Sequence, residues 1–166
     1  MVVDPGTLWK ALADVEDPEL PISITDMGLV HRVAITEGHV RVEMLPTFTG
    51  CPALEVITAR VRRRLAEIPG VDVVDVAFVF EPAWTITRMS ETGRARLRAH
   101  GLSVPRTGGI EPVTCPVCGS ANTTLDNPFG PTLCRTVYYC RDCRNPIERF
   151  KPPAAVLGAR SADRTG

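Results

Sequence analysis

The sequence predicts a mixed α/β (α+β) chain: a two-layer sandwich of a small sheet and helices, followed by a small metal-ribbon module. Three observations lead there. Helical and strand periodicities alternate up to about residue 104, five of the six cysteines crowd into residues 115–143, and a proline- and glycine-rich stretch separates the two regions. A chain of 166 residues has room for one compact domain plus a module too small to bury a large core of its own.

From Thr7 to Val15 the apolar residues Leu8, Leu12 and Val15 fall on one helical face and stop before Asp17-Pro18, so a short helix is expected there. Leu29, His31, Val33 and Ile35 alternate with Val30, Arg32, Ala34 and Thr36. After Glu37-Gly38 the alternation resumes at Val40, Val42 and Met44, which predicts a β-hairpin turning at Glu37-Gly38-His39. Leu54, Ile57, Val61, Leu65 and Ile68 then form one face of an amphipathic helix, with Arg60, Arg63, Arg64 and Glu67 opposite. Pro52 suits its first turn, and Pro69-Gly70 ends it. Val74, Val76, Phe78 and Phe80 alternate as a third strand, and Ser90 caps a last helix that Gly101 stops. The order helix, two hairpin strands, helix, strand, helix fits helices on one face of a sheet.

Between Val104 and Pro112, two prolines flank Gly108-Gly109 and apolar periodicity lapses. Residues 105–111 are therefore expected as a linker between a domain over 1–104 and a module over 112–152. The stretch 153–166, rich in Ala, Arg, Gly and Ser, is expected as a flexible tail.

Nineteen basic and nineteen acidic residues leave a formal net charge of zero. No overall positive field exists to hold a nucleic acid or an anionic membrane, so neither is an expected partner. No window approaches the roughly 20 apolar residues of a membrane span, and a soluble cytoplasmic protein is expected. In that compartment Cys51, Cys115, Cys118, Cys134, Cys140 and Cys143 are metal ligands or reactive thiols before they are disulfide partners.

Cys115-Pro116-Val117-Cys118 and Cys140-Arg141-Asp142-Cys143 are two C-x2-C pairs with 21 residues between them, close to the tetrathiolate ribbon pattern. Each such turn aims two sulfurs at one point, and two turns complete a tetrahedron. A metal would then contribute folding free energy directly to a module with little core. Zinc is the first choice, and iron or an iron–sulfur cluster is the alternative. Cys134 is a fifth thiol for four places: a buried small residue, an alternative ligand or a transfer thiol. Arg135, Arg141, Arg144, Arg149 and Lys151 with Tyr138, Tyr139 and Phe150 form either a solvated basic face over a small aromatic core or a nucleic-acid surface, and the neutral chain favours the former.

Cys51 stands where the second helix is about to begin. Backbone N–H groups and the helix dipole there favour a thiolate, while the plainer alternative is a packed small residue. His31, His39 and His100 are scattered, which argues against a Cys-His hydrolase. Asp14, Glu16, Asp17, Glu19 and Asp26 crowd a short stretch that is either a source of oxygen ligands or an exposed turn before Pro18. No phosphate-binding GxGxxG or GxxxxGK[ST] loop and no Glu-x-x-His di-iron pair occurs.

Asp17-Pro18-Glu19, Asp26-Met27-Gly28-Leu29-Val30, Pro46-Thr47 to Gly50-Cys51-Pro52, Ile68-Pro69-Gly70-Val71, Pro82-x-Trp84 and Met89-Ser90 together resemble the SufT-like family of iron–sulfur cluster assembly domains, over roughly residues 7 to 104. With the ribbon appended, and with Asn127-Pro128-Phe129-Gly130-Pro131-Thr132-Leu133-Cys134 before it closes, the chain resembles the PaaD (PaaJ) family of phenylacetate degradation proteins. The resemblance implies that Cys51 is the reactive, cluster-handling cysteine and that Asp17, Glu19, Asp26 and Thr47 line the surface around it. It implies a non-enzymatic accessory factor that assists iron or iron–sulfur centre assembly, with the cluster held transiently, in the multicomponent phenylacetyl-CoA oxygenase. The implied partners are its reductase or its di-iron catalytic subunit, and a homodimer is a further candidate. The rival is a structural scaffold subunit of that complex, in which Cys51 is only packed.

Overall fold

In a computed structural model, which describes residues 3–106 and 111–151, the chain divides into two compact units. The first runs up to Trp84 and takes in Arg88–Gly93; the second takes in Thr85–Thr87 and the chain from Arg94 onward. Residues 107–110 of the expected linker, Pro152 and the expected tail over 153–166 lie outside the described residues.

In the first unit, α1 spans Pro5–Ala13 and begins two residues before the periodicity does, because Pro5 fits the first helical turn, where a missing N–H costs nothing. Its Leu8, Ala11 and Leu12 are buried, and Val15, past the helix end, is buried as well. Strands β1 (Val30–Thr36) and β2 (His39–Met44) form the hairpin. Thr36 pairs with His39, so the loop is the two residues Glu37 and Gly38, both at positive φ (49° and 77°), the primed turn that matches strand twist. Helix α2 (Ala53–Ala66) carries the chain across to β3 (Val73–Phe78), which lies parallel to β2 with Val40 opposite Val74 and Met44 opposite Phe78. The sheet order is β1-β2-β3. Phe80, which alternation places in the strand, lies beyond it and is exposed, since the neighbouring strand has already ended at Met44.

The core of this unit joins Val40, Val42 and Met44 from the central strand to Leu8 and Leu12 of α1 and Ile57, Val61 and Leu65 of α2. Each of these side chains is at most 1% exposed, and each contributes about 1.5–3 kcal/mol by leaving water. At the hairpin's entry Gly28 has φ 72°, and a Cβ there would lie 2.5 Å from the Arg88 carbonyl oxygen, so only glycine fits. The Arg88 side chain donates to the Gly28 oxygen in return, at 3.1 Å.

The second unit is a four-stranded sheet in the order β4-β7-β6-β5, formed by β4 (Leu102–Ser103), β5 (Thr123–Asn127), β6 (Arg135–Cys140) and β7 (Pro146–Phe150). The β5-β6 and β6-β7 pairs are antiparallel, and β4 joins β7 in parallel. Helix α3 (Glu91–Ala99), whose first turn belongs to the first unit, opens with the Ser90 hydroxyl accepting the Gly93 N–H at 2.9 Å. Arg94 is buried with its guanidinium donating to the Ile86 and Pro105 carbonyls. Val113, Cys115, Cys140 and Ile147 make a small core against which Tyr138 and Cys143 pack. The fold is thus α+β, with two small sheets and three helices. Among the described residues no helix is long and apolar enough to cross a membrane.

Candidate functional site

The two C-x2-C turns are built alike. The N–H of Cys115 donates to the Ser120 carbonyl and that of Cys140 to the Asn145 carbonyl, both at 2.9 Å and both five residues on. Each turn therefore folds back under its pair of sulfurs. The four Sγ atoms of Cys115, Cys118, Cys140 and Cys143 lie within 4.8 Å of one another, and the Cys115–Cys143 and Cys118–Cys140 pairs are 3.6 Å apart. A disulfide needs about 2.05 Å. A metal with sulfurs at about 2.3 Å in a tetrahedron sets them about 3.8 Å apart, close to the 3.6 Å of these two pairs.

The protons around this cluster point the same way. At Cys143 the side-chain amide of Asn145, 3.4 Å from the sulfur, together with the Asn145 backbone N–H, holds the thiol down to about 6. At Cys118 the Ser120 N–H favours the thiolate, but desolvation and the thiols of Cys143, Cys140 and Cys115 outweigh it and push the group up to about 12. The Asn145 donors favour the Cys143 thiolate, and a cation bound among the sulfurs would favour it further. Zinc would be held by these four sulfurs and would supply folding free energy to the module. Beside them the Asp142 carboxylate takes the Ser120 hydroxyl and the Asn122 amide, which lowers its pKa and ties one turn to the other. Sequence reading missed Asn145 and Asp142 as supporting residues, although their places two after Cys143 and between the paired cysteines were visible.

Cys134 stands apart from the four. Its sulfur is 3.2 Å from the Thr132 hydroxyl, and its carbonyl accepts the Lys151 N–H at 2.8 Å. Of the basic and aromatic residues nearby, Arg135, paired with Glu148 at 2.5 Å, Arg149 and Phe150 are buried, Tyr138, Tyr139 and Lys151 are half-buried, and Arg141 and Arg144 are exposed. Arg135, Arg149 and Phe150 thus belong to the packed interior of the ribbon, and Arg141 and Arg144 to its solvated face.

Cys51 is half-buried, two residues before α2, and its carbonyl accepts the Leu54 N–H at 3.2 Å. It opens onto a shallow depression of about 560 Å³ lined also by Leu54, Glu55, Thr58, Arg62 and Phe78. Glu55, Thr58 and Arg62 follow Cys51 at four, seven and eleven residues, so helical spacing alone could have placed them on its side. Asp17, Glu19, Asp26 and Thr47 do not line this depression. Asp17 accepts the Glu19 N–H at 2.8 Å, within a loop closed by Asp17 N–H to Ile22 and Ile24 N–H to Val15. Asp26 accepts the Ser90 hydroxyl at 2.6 Å, and Thr47 is half-buried in the loop after β2. Asp14 pairs with Arg64 at 2.8 Å. Among the described residues, the four ribbon cysteines are the one group of three or more His, Cys, Asp or Glu whose ligand atoms converge.

Comparison with known proteins bears on both units. Residues 6–78 match the family described as iron-sulfur cluster assembly protein, and residues 100–151 match the PaaD zinc beta ribbon domain. An Escherichia coli K12 protein, named as one of the subunits of a "Putative 1,2-phenylacetyl-CoA epoxidase", is 38% identical over 151 residues, which are 87% of this chain and 90% of that protein. The chain belongs to the PaaD family. As in that family's ribbon, its second unit carries a four-cysteine zinc site. The N-terminal part of this PaaD-family chain is also similar to the "Fe-S protein maturation auxiliary factor SufT" of Staphylococcus aureus USA300, at 40% identity over 84 residues, 50% of this chain and 96% of that protein. A crystal structure from Bacillus anthracis, described as a domain of unknown function DUF59, superposes with a TM-score of 0.52 at 33% identity and covers 55% of this chain and 89% of that one. The relatives of the first unit are iron–sulfur maturation proteins, which supports an iron–sulfur assembly role.

Proposed function

We propose that the chain is a non-enzymatic accessory factor that assists assembly of an iron or iron–sulfur centre in the multicomponent phenylacetyl-CoA oxygenase. In this reading residues 1–104 handle the cargo, with Cys51 as the thiol that takes it up, and residues 112–152, the ribbon, dock the reductase or the di-iron catalytic subunit. The protein acts in the cytoplasm. Asp17, Glu19, Asp26 and Thr47, which the family resemblance sets around Cys51, act in this reading on the cargo's approach and not as its ligands.

The observation that carries the reading is the division of labour among the cysteines. Four sulfurs are closed around one another in the ribbon, while Cys51, in the stretch that matches iron–sulfur assembly proteins, faces an open depression. Its place before α2 favours the thiolate, in a depression whose lining carries one basic residue, Arg62, and one acidic residue, Glu55. A thiolate so placed can replace one sulfur ligand of an incoming cluster and give it up again, a ligand exchange that changes no oxidation state. Cys51→Ser in the full chain tests it: the client oxygenase should lose cluster content and activity while the variant keeps its fold and its ribbon metal. Full client activation by the variant would overturn the reading.

The second reading, a scaffold subunit with no cargo, is favoured by the acidic residues, whose carboxylates are engaged by Ser90, Arg64 and the Glu19 N–H and do not converge on Cys51. In that case the oxygenase falls apart without the chain but assembles fully with Cys51→Ser.

A further inference from the structure

The second unit holds a cavity of about 320 Å³ whose lining includes Arg98, Ser103, Arg106, Glu111, Thr114 and Arg149. Two of these, Ser103 and Arg149, are directly opposite one another in the β4-β7 pair and are both buried, at 9% and 6% exposure. Arg98, Arg106 and Thr114 are exposed. Three guanidinium groups and two hydroxyls thus share one concavity with a single carboxylate.

Arg149 makes the balance unusual. Arg135, at the start of β6 opposite Phe150, is just as buried and is answered by the Glu148 carboxylate. Arg149 instead donates from Nη2 to a neutral acceptor, the Glu111 carbonyl, at 3.1 Å. The Glu111 carboxylate accepts the Arg106 N–H at 2.9 Å. Burial pushes the Arg149 guanidinium below its usual range even though the Glu111 charge nearby opposes this, so an anion that reaches it recovers part of the desolvation cost. Arginine forks suit oxyanions, and the surrounding hydroxyls can donate to further oxygens.

We propose that this cavity is an oxyanion site that takes a small phosphate monoester, with Arg149 and Ser103 as its buried contacts and Arg98 and Arg106 as its exposed ones. A dianion fits the excess of two positive charges in the lining better than a single carboxylate does. The volume, at the lower end of the range for small-molecule sites, leaves room for an organic group beyond the phosphate.

The test is an amide NMR titration of the full, zinc-loaded chain with inorganic phosphate, repeated with succinate at matched ionic strength. Phosphate should give saturable shifts centred on the amides of Ser103, Thr114 and Arg149, and succinate should bind several-fold more weakly. Arg98→Gln and Arg106→Gln, both at exposed positions outside the packed core, should each weaken phosphate about threefold to tenfold. Shifts that fail to saturate at these amides, or undiminished affinity when both arginines are replaced, would overturn the site. Equal affinity for succinate would overturn its assignment to phosphate.

Discussion

Gly119 and Arg144 occupy the same place in the two cysteine turns. Each follows the second cysteine of its pair, each is in the left-handed region, at φ 75° and 60°, and each donates its N–H at 2.9 Å to the carbonyl of the first cysteine. Glycine takes this conformation freely, whereas a side chain there costs about 1–2 kcal/mol. Arg144→Gly should therefore stabilise the zinc-loaded ribbon by about 1 kcal/mol, less than the full strain because glycine also loosens the unfolded chain. Denaturant melts of the two proteins, followed by Tyr138 and Tyr139 fluorescence in the ribbon, would measure it. A loss of stability would mean that the Arg144 side chain contributes more than its backbone costs.

The four-sulfur site anchors the ribbon end of the second unit, where the buried cluster beyond Cys115 and Cys140 is Val113 and Ile147; Leu97, Leu102 and Phe150 are buried elsewhere in the unit. Structural zinc supplies about 10–16 kcal/mol in small modules of this kind. Cys140→Ser should abolish zinc binding and expose the β5, β6 and β7 amides to rapid hydrogen exchange, while α2 and the β1-β2 hairpin keep their protection. One zinc per chain in the wild type and none in the variant, by elemental analysis, is the companion measurement. Protection of β6 in the metal-free variant would show that the sheet holds without its metal.

How much of this was legible depends on the range of the contacts. The hairpin was written in alternation around Glu37-Gly38, and α2 in the row Ile57, Val61, Leu65, because both signals are local and the buried face imposes its period on the sequence. The convergence of the four cysteines was legible from spacing, since a C-x2-C turn fixes its own sulfurs. By contrast, Leu102–Ser103, placed before the linker by sequence, pairs with Glu148–Arg149, 46 residues later, and two residues are too few to carry a period. The partners of the acidic residues were equally hidden. Asp26 reaches Ser90 and Asp14 reaches Arg64 by tertiary contact, and nothing in composition distinguishes such a carboxylate from one free to bind a cation.

Asp26 illustrates the consequence. Its carbonyl accepts the Ser90 N–H at 2.8 Å while its carboxylate accepts the Ser90 hydroxyl, and that same hydroxyl caps α3. Asp26→Ala should cost about 1–3 kcal/mol, Ser90→Ala about 1 kcal/mol, and the double variant less than the sum, because both act through one bond. Urea denaturation of the four proteins in this cycle gives the coupling energy. Strict additivity would separate Asp26 from the cap and return it to the surface role that family resemblance suggests.

Cys134 leaves five thiols competing for four places, and its surroundings decide the competition. Its carbonyl is tied to the Lys151 N–H and its sulfur faces the Thr132 hydroxyl, within a turn closed by Arg135 N–H to Thr132 and Gly130 N–H to Arg135. To reach the metal the residue would have to break these bonds and displace a sulfur already at tetrahedral spacing. Serine keeps the size and a hydroxyl partner for Thr132, so Cys134→Ser should retain one zinc per chain with an affinity within about twofold of the wild type, a change well under 1 kcal/mol. Chelator competition on both proteins reads this directly. A tenfold or greater loss of affinity would make Cys134 a ligand in exchange with one of the four, and the ribbon would then be a site that can pass its metal on.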